Sequence, residues 1–404
     1  MEHVAVTGVG IVSPIGTGTS AFWSSLLAGK RAVAPMSSPL PRLSGNRFWA
    51  AVPDDFLAAG ILDPTVLRNT GRFTQYAIAA AAEAVDDAGL QPPPERTAVV
   101  IGNTMGGFPL VAQAQSRLSE SEGRVATPKL MALVIPNMPS ALIAMRWELH
   151  GPQLAISTAC ASSLDAIGVA AGMIERGEVD AAIAGGTETL LSPLVYESLV
   201  RAGALSRNLD AALASRPFDV DRDGFVMGDG AAIVILERLE RAVERGAQIV
   251  ARICGYGSLA DAHHITSPDP SARFEVQAMR DAIDRAAGVV AQCEVVYAHA
   301  TGTLVGDAAE ARAIDEVYAR RPPLVTSIKG HVGHSMASAG AMCVVAGIMG
   351  MRDSMIPPTI GTARIDPATR FDLVMQAPRS HSYSAFQVNA FGFGGQNASL
   401  IVSR

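Results

Sequence analysis

The amino-acid sequence predicts an α/β fold with a mostly parallel sheet. Short apolar, β-branched runs alternate with longer Ala-rich segments, and no low-complexity linker interrupts the alternation over the 404 residues. The runs predicted as strands are Val4–Gly8, Ala98–Gly102, Ala181–Gly185, Ala231–Leu236, Val295–His299, Val325–Ile328, Phe386–Phe391 and Ser399–Val402. The segments predicted as helices are Thr74–Ala88, Ser162–Arg176, Arg273–Ala287 and Ala308–Ala319. Between them, the Pro- and Ser-rich stretch Ala34–Asn46 is predicted to be a surface loop.

The composition indicates a large buried core. Hydrophobic residues make up 49% of the chain and charged residues 17%, whereas soluble domains carry about 25% charged residues. A large core and a subunit interface would together bury the excess apolar surface. The net charge of −6 argues against binding to nucleic acid or to an anionic membrane, because both need a basic field.

The cysteines and the longest uncharged run bear on location. The four cysteines show no Cys-x-x-Cys spacing, which is typical of reduced thiols in the cytoplasm. The N-terminal segment lacks the basic and apolar regions of a signal peptide. The uncharged run Gly330–Met351 contains His, Ser and Gly residues, so we expect a buried helix there and no membrane span.

Three patterns resemble ligand-binding motifs, but each lacks a residue that its motif requires. The segment Gly8–Ser13 lacks the third glycine of a dinucleotide fingerprint. The segment starting at Asp219 lacks the glutamate that a calcium loop needs at its twelfth position, where Gly230 stands. The pair His263-His264 has no third ligand nearby in the sequence. We therefore predict no metal site and no tightly bound cofactor.

Four segments carry candidate chemistry. Cys160 opens an Ala/Gly-rich helix, where the positive end of the helix dipole favours a thiolate. His299 ends a predicted strand, and His334 follows Lys329 in a second strand-to-helix turn. The Gly-rich turn Phe391–Gly395 lets backbone approach a ligand closely. Each segment alone is also compatible with a structural role, but together they supply a nucleophile, hydrogen-bond donors and a backbone oxyanion hole.

These segments, in this order, resemble the β-ketoacyl-acyl-carrier-protein synthases (ketosynthases) of the thiolase superfamily, including the ketosynthase subunits of type II polyketide synthases. The resemblance begins at Val6–Pro14 and extends to Phe391–Asn397, over nearly the whole chain. It implies a thiolase-like fold of two pseudo-symmetric halves in αβαβα layers. Residues 1–248 would form the half that carries Cys160, and residues 249–404 the half that carries both histidines.

The resemblance also implies roles for individual residues. Cys160 would accept the acyl group, and its backbone N–H together with that of Phe393 would form the oxyanion hole. His299 and His334 would promote decarboxylation of a malonyl unit, and Lys329 would orient the site around them. The remaining implied roles are the gate glycines Gly392 and Gly394, the substrate-binding residues Thr301, Thr303, Met105 and Phe391, the carrier-protein docking residues Arg68 and Arg72, and the structural acidic pair Asp307 and Glu310.

The function implied is a decarboxylative Claisen condensation with malonyl carrier protein in polyketide or fatty-acid biosynthesis. The substrates would be carried on the phosphopantetheine arm of an acyl carrier protein. The partners implied are this carrier protein and a second subunit, which is either another copy or a homologue resembling a chain-length factor. Two alternatives stay open: a non-elongating acyltransferase, and a ketosynthase-like partner subunit, a class that lacks the nucleophilic cysteine.

The sequence departs from the family pattern near Lys329. Fourteen residues after the lysine the family usually has a glutamate that pairs with it, and this chain has Cys343. Ala300 and Gly330 replace a usual glycine and a usual serine, and His331 is unexpected. None of these changes removes a catalytic group. They favour a polyketide or secondary-metabolism enzyme over a housekeeping one.

Overall fold

The computed structural model describes residues 4–36, 48–54, 56, 62–120, 128–287 and 293–404. Its strands are β1 (Val4–Ser13), β2 (Gly16–Thr17), β3 (Ala34–Pro35), β4 (Phe48–Ala50), β5 (Thr97–Gly102), β6 (Gln153–Ile156), β7 (Ala181–Glu188), β8 (Met227–Gly228), β9 (Gly230–Arg238), β10 (Ala251–Ala260), β11 (Val295–Tyr297), β12 (Leu324–Thr326), β13 (Met355–Ile356), β14 (Asp372–Leu373), β15 (Arg379–Ser380), β16 (Ala385–Gly392) and β17 (Gln396–Ser403). Its helices are α1 (Thr19–Leu27), α2 (Pro64–Asn69), α3 (Arg72–Ala88), α4 (Phe108–Glu120), α5 (Leu130–Val134), α6 (Met138–Arg146), α7 (Ser162–Glu175), α8 (Pro193–Arg201), α9 (Ala211–Ala214), α10 (Leu239–Glu244), α11 (Arg273–Arg285), α12 (Leu304–Val317), α13 (Lys329–Val332) and α14 (Ala339–Asp353).

All eight predicted strands and all four predicted helices are confirmed in position, with ends that differ by a few residues. The prediction of a mostly parallel sheet is wrong. The main sheet has the order β14-β12-β11-β16-β17-β10-β1-β9-β7-β5-β6 and is mixed, because the pairs around β1, β9, β10 and β17 are antiparallel. Strands buried on both faces look alike in sequence whichever direction they run, so the apolar runs could not reveal this. Of the predicted loop Ala34–Asn46, the first two residues form β3, and residues 37–46 lie outside the described residues.

The sheet order repeats in the two parts of the chain. In the first part of the chain, the strands lie side by side in the order β6-β5-β7-β9-β1. Counted along the chain, this is the third, second, fourth, fifth and first strand of the set. The second part repeats this order as β12-β11-β16-β17-β10, and corresponding neighbours are parallel or antiparallel in the same way. The two first strands, β1 and β10, pair antiparallel and join the two sets. This repetition describes two pseudo-symmetric halves; the boundary between residues 248 and 249 stays a prediction.

Three hydrophobic cores separate the layers of the fold. Alternate residues of one strand point to different cores: in β5, Val99 and Ile101 face the outer helices α3 and α6, while Ala98 and Val100 face the inner helices α7 and α14. On the far side, α11 and α12 cover the second half of the sheet. The helices and sheet halves therefore form the layers αβαβα, with α7 and α14 in the middle.

The uncharged run Gly330–Met351 is divided between α13, a short 3₁₀ turn and the buried helix α14. In the part of the chain that the structure describes, no helix has the length and apolarity needed to cross a bilayer.

Candidate active site

Cys160 lies in a strained turn between β6 and the central helix α7. Ala159, just before it, has a φ of 50°, which is uncommon for a residue with a Cβ. The Ser162 hydroxyl fixes the turn, because it donates to the Ala159 carbonyl at 2.6 Å and accepts from the Thr158 N–H at 2.9 Å. The turn places the Cys160 side chain, 7% exposed, at the start of α7.

A turn of the same shape begins the other central helix, α14. Met336 has a φ of 45°, and a 3₁₀ turn over Met336–Ser338 leads into the helix. The Met336 sulfur lies 4.0 Å from the Cys160 sulfur. His334 stands two residues before this turn, and its N–H donates to the Val226 carbonyl at 2.7 Å. The repeated halves thus bring the two turns together at the centre of the molecule.

The two histidines and the cysteine form one cluster. The His334 Nε2 lies 3.1 Å from the Cys160 Sγ. The His299 ring stands edge-to-face against the His334 ring, with 5.2 Å between centroids. One side-chain atom from each of the three residues lies within 4.8 Å of the others, and all three side chains are buried. This geometry fits a thiol nucleophile with an adjacent base and a second donor.

Burial decides the protonation of the cluster. It lowers the pKa of both histidines well below the usual range, and the Lys329 ammonium lowers these pKa values further. Both imidazoles are therefore neutral, and each can donate one hydrogen bond. Burial also raises the pKa of the Cys160 thiol to about 11, although Lys329 and the backbone N–H groups of Phe393 and Cys160 act in the opposite direction. Loss of solvation therefore opposes the thiolate that a position at a helix start favours.

Lys329 is buried behind the histidines, and its ammonium donates to the His299 carbonyl oxygen. No salt bridge joins it to a carboxylate among the described residues. Cys343, at the position of the usual glutamate, is buried, and burial raises its pKa to about 11, so it is a neutral thiol. Glu310 interacts with Lys329 at longer range: burial raises the pKa of Glu310 to about 7, while its backbone hydrogen bonds and the Lys329 charge act in the opposite direction.

Asp307 and Glu310 fix the backbone of the His299 turn. Glu310 accepts from the N–H groups of His299 at 2.8 Å and Ala300 at 2.6 Å. Asp307 accepts from the Gly302 N–H at 3.0 Å and the Phe218 N–H at 2.7 Å. Both carboxyl groups are buried in the first turns of α12. They hold the strand-to-helix turn that presents His299.

The gate loop, Phe391–Gly395, connects β16 and β17 beside Cys160. A Cβ added at Gly392 would lie 2.9 Å from the Cys160 nitrogen, so only glycine permits this approach. The Gly394 N–H donates to the Ile265 carbonyl at 2.9 Å, and the Gly395 carbonyl accepts from the Asp261 N–H at 2.9 Å. These bonds tie the gate loop to the segment Asp261–Pro270, while the Phe393 side chain remains 38% exposed.

A cavity of about 250 Å³ opens onto the cluster. Cys160, His299 and His334 line it, together with the predicted substrate residues Thr301, Thr303 and Phe391 and the gate residues Phe393 and Gly392. Leu304 and Val305, each 60% exposed, also line it and mark its opening to solvent. The Thr301 and Thr303 hydroxyls lie 3.1 Å apart.

Other predicted residues lie away from this cavity. Met105, 41% exposed, is not part of its lining. Arg68 is exposed on α2, and Arg72 begins α3, where it forms a 2.7 Å ion pair with Asp54. Gly394 shapes the gate loop without lining the cavity. Their proposed roles in substrate binding, docking and gating stay predictions.

The polar cavity-lining residues that sequence reasoning missed include Asp261, Glu275 and Asn397. The Asn397 amide donates to the Asp261 carboxylate at 2.5 Å, and both side chains are buried. A signal for Glu275 was present in the predicted helix Arg273–Ala287. Glu275 shares a helix face with Met279 and Ala282, which are apolar and buried, so an acidic residue on that face indicates a buried carboxyl group.

Comparisons with known proteins agree with this arrangement. Residues 1–242 match the family model for the β-ketoacyl synthase N-terminal domain, and residues 250–363 match that for the C-terminal domain. The chain is 38% identical to 3-oxoacyl-[acyl-carrier-protein] synthase 2 of Coxiella burnetii and to the protein of the same name from Vibrio cholerae. Each alignment covers 100% of this chain and 99% of the relative.

Solved structures show the same fold. A β-ketoacyl synthase from Burkholderia phymatum superposes with a TM-score of 0.92 at 32% identity, over 100% of both chains. The ishigamide ketosynthase/chain length factor superposes with a TM-score of 0.91 at 32% identity, over 99% of this chain and 98% of the other. The ketosynthase of a type II polyketide synthase complex with its acyl-carrier protein reaches 0.89 at 27% identity, over 99% of each chain. With its thiolase-like fold and its Cys-His-His cluster, this chain belongs to the β-ketoacyl synthase family.

Proposed function

We propose that this chain catalyses the decarboxylative condensation of an acyl group, carried on Cys160, with malonyl-acyl carrier protein. The observation that carries the proposal is the 3.1 Å contact between the Cys160 Sγ and the His334 Nε2, beside a second neutral imidazole at His299. The product is a β-ketoacyl carrier protein, and the setting is fatty-acid or type II polyketide biosynthesis, as the names of the relatives suggest.

The first half-reaction transfers the acyl group to the enzyme. Because the Cys160 thiol is neutral, His334 takes its proton as the sulfur attacks the thioester carbonyl. The backbone N–H groups of Cys160 and Phe393 both act on the sulfur and stabilise the oxyanion that forms beside it. The C–S bond to the phosphopantetheine then breaks, and the pantetheine thiolate takes the proton.

The second half-reaction builds the carbon–carbon bond. His299 and His334 donate to the thioester carbonyl of the malonyl unit. The bond to its carboxylate breaks, CO₂ leaves, and the electron pair forms an enolate that the two imidazoles stabilise. The enolate carbon attacks the acyl carbonyl on Cys160, the C–S bond to Cys160 breaks, and the departing thiolate takes up a proton from solvent. All substrates are carried on phosphopantetheine, so no tightly bound cofactor is needed.

Surface features support a second subunit as partner. Among the described residues, the edge strand β6 pairs only with β5, and it is largely exposed. Nearby helices α5 and α6 expose Met131 (63%) and Met145 (71%). An open strand edge beside apolar side chains is suited to pairing with another copy or with a homologue such as the chain length factor of the ishigamide complex. We also propose a cytoplasmic location, which the four free, buried cysteines support.

Intact-mass measurements test the reaction. Wild-type protein is mixed first with an acyl carrier protein bearing an acyl group and then with malonyl carrier protein. We expect an acyl adduct that converts to a carrier product two carbons longer, and neither species with Cys160→Ala. Cys254→Ala, which removes another buried thiol, is the matched control and should behave as wild type. An adduct without elongation would instead favour the acyltransferase alternative.

A further inference from the structure

Glu275 is a buried carboxyl group in the catalytic cavity that the mechanism above leaves unused. It lies in the first turn of α11, is 2% exposed, and lines the same cavity as Cys160 and His299. Its Oε2 has no hydrogen-bond partner among the described residues. A buried polar atom without a partner is costly, so a group aimed into a ligand cavity in this state indicates a ligand that completes it.

The other acidic residues of the cavity already have partners. The Asp261 carboxylate accepts from the Asn397 amide at 2.5 Å and from the Asp269 N–H at 2.9 Å. Asp223 accepts from the Ser206 hydroxyl at 2.8 Å and from the Arg207 N–H at 2.9 Å. No lysine or arginine belongs to the described lining. An anionic substrate group that enters this cavity therefore meets only neutral donors.

Glu275 is such a neutral donor. Its pKa is raised to about 9, chiefly by burial and also by the charges of Glu310 on α12 and of Asp261 and Asp269 after β10. The carboxyl group keeps its proton at neutral pH, so it can donate one hydrogen bond into the cavity. A carboxylic acid and a carboxylate form a charge-assisted hydrogen bond, which is among the stronger kinds.

We propose that Glu275 binds the free carboxylate of the malonyl unit by donating a hydrogen bond to it, and so selects malonyl carrier protein as the extender. This rests on the proposed function. A neutral donor suits the reaction better than a cation, because an arginine would stabilise the carboxylate most strongly before CO₂ departs and would slow its loss. The bond between the malonyl α-carbon and the carboxylate breaks, its electron pair moves to the enolate, and Glu275 retains its proton.

The test compares Glu275→Gln, Glu275→Ala and wild type in each half-reaction. The amide of glutamine still donates a hydrogen bond, whereas alanine does not. We expect Glu275→Ala to raise the KM for malonyl carrier protein by about 10- to 100-fold, the loss of one hydrogen bond to a charged group. Transfer of the acyl group to Cys160 should be unchanged, since it involves no free carboxylate. Glu316→Gln, on the exposed face of α12, is the control.

The pH profile gives a second readout. Above about pH 9, Glu275 of the wild type loses its proton, so kcat/KM for malonyl carrier protein should fall about tenfold per pH unit. Glu275→Gln should retain its rate there. Equal profiles for the two proteins, or an unchanged KM in a folded Glu275→Ala, would overturn the inference. If Glu275→Ala lost acyl transfer and elongation equally, the role of Glu275 would be structural and the inference would also be overturned. A wild type that never elongates would overturn the proposed function itself.

Discussion

Replacing Glu275 by glutamine should remove a large part of the pH dependence of stability. The pKa of Glu275 is raised from the ordinary 4.5 to about 9 in the folded protein. The stability that this proton binding contributes is fully present below pH 4.5 and is lost as pH rises through 9. Between pH 6 and 8 the folded protein holds the proton and the unfolded chain does not, so the free energy of unfolding falls by roughly 3 kcal/mol between these two pH values.

Urea denaturation at pH 6 and pH 8, followed by tryptophan fluorescence at one protein concentration, measures this loss. Glu188, Asp229 and Glu310 are also buried with pKa values raised to about 7, and they add a similar dependence to both proteins. Because the charge of Glu310 raises the pKa of Glu275, the difference between wild type and Glu275→Gln measures Glu275 together with its electrostatic coupling to Glu310. If both proteins lose the same free energy between the two pH values, Glu275 is not a protonated buried acid and the reasoning fails.

Four further substitutions test the roles of individual residues of the site. His334→Ala should slow acylation of Cys160 by about 10²- to 10⁴-fold, which is the contribution of a general base. His299→Ala should acylate normally and fail to elongate. Timed intact-mass spectra distinguish these two outcomes. Gly392→Ala should impair acylation in a protein that still folds, because its Cβ would lie 2.9 Å from the Cys160 nitrogen; normal acylation would contradict the close approach. Glu310→Gln should lower the free energy of unfolding by about 2 kcal/mol, since one backbone N–H of the His299 turn loses its charged acceptor, and urea denaturation checks it.

The elements of the fold were largely predictable, because apolar runs and Ala-rich segments follow the periods of strands and helices. Among the strands that the prediction missed, β6 and β10 were missed for different reasons. The strand β6 lies at the sheet edge and exposes most of its residues, so no apolar run indicated it. The strand β10 is interrupted by Gly255 and Gly257, where an added Cβ would lie 1.9 Å and 2.1 Å from carbonyl oxygens of α11. Strand direction is a long-range property that local periodicity does not record.

The chemistry of the site was predictable only in part. The types and order of Cys160, His299 and His334 indicated nucleophile and donors, and the structure brings all three together. Their protonation was not predictable, because the pKa of Cys160 depends strongly on burial by segments that are distant in the sequence. The hydrogen-bond partner of Lys329 was also not predictable from the sequence. The sequence showed that a glutamate was missing, but only the packing shows that Lys329 donates instead to the His299 backbone carbonyl.

The turns of the same shape before α7 and α14 each supply one part of the catalytic site. One copy supplies the sulfur and the other supplies its base, so the 3.1 Å contact between them spans the junction of the two halves. That junction is narrow within the sheet: β1 and β10 pair through Ala5 with Arg252 and Val6 with Ala251. A displacement of about 1 Å can cost a reaction 10²-fold in rate. Substitutions at this strand pair do not contact any substrate. We therefore expect them to lower the turnover rate even where they leave the protein folded.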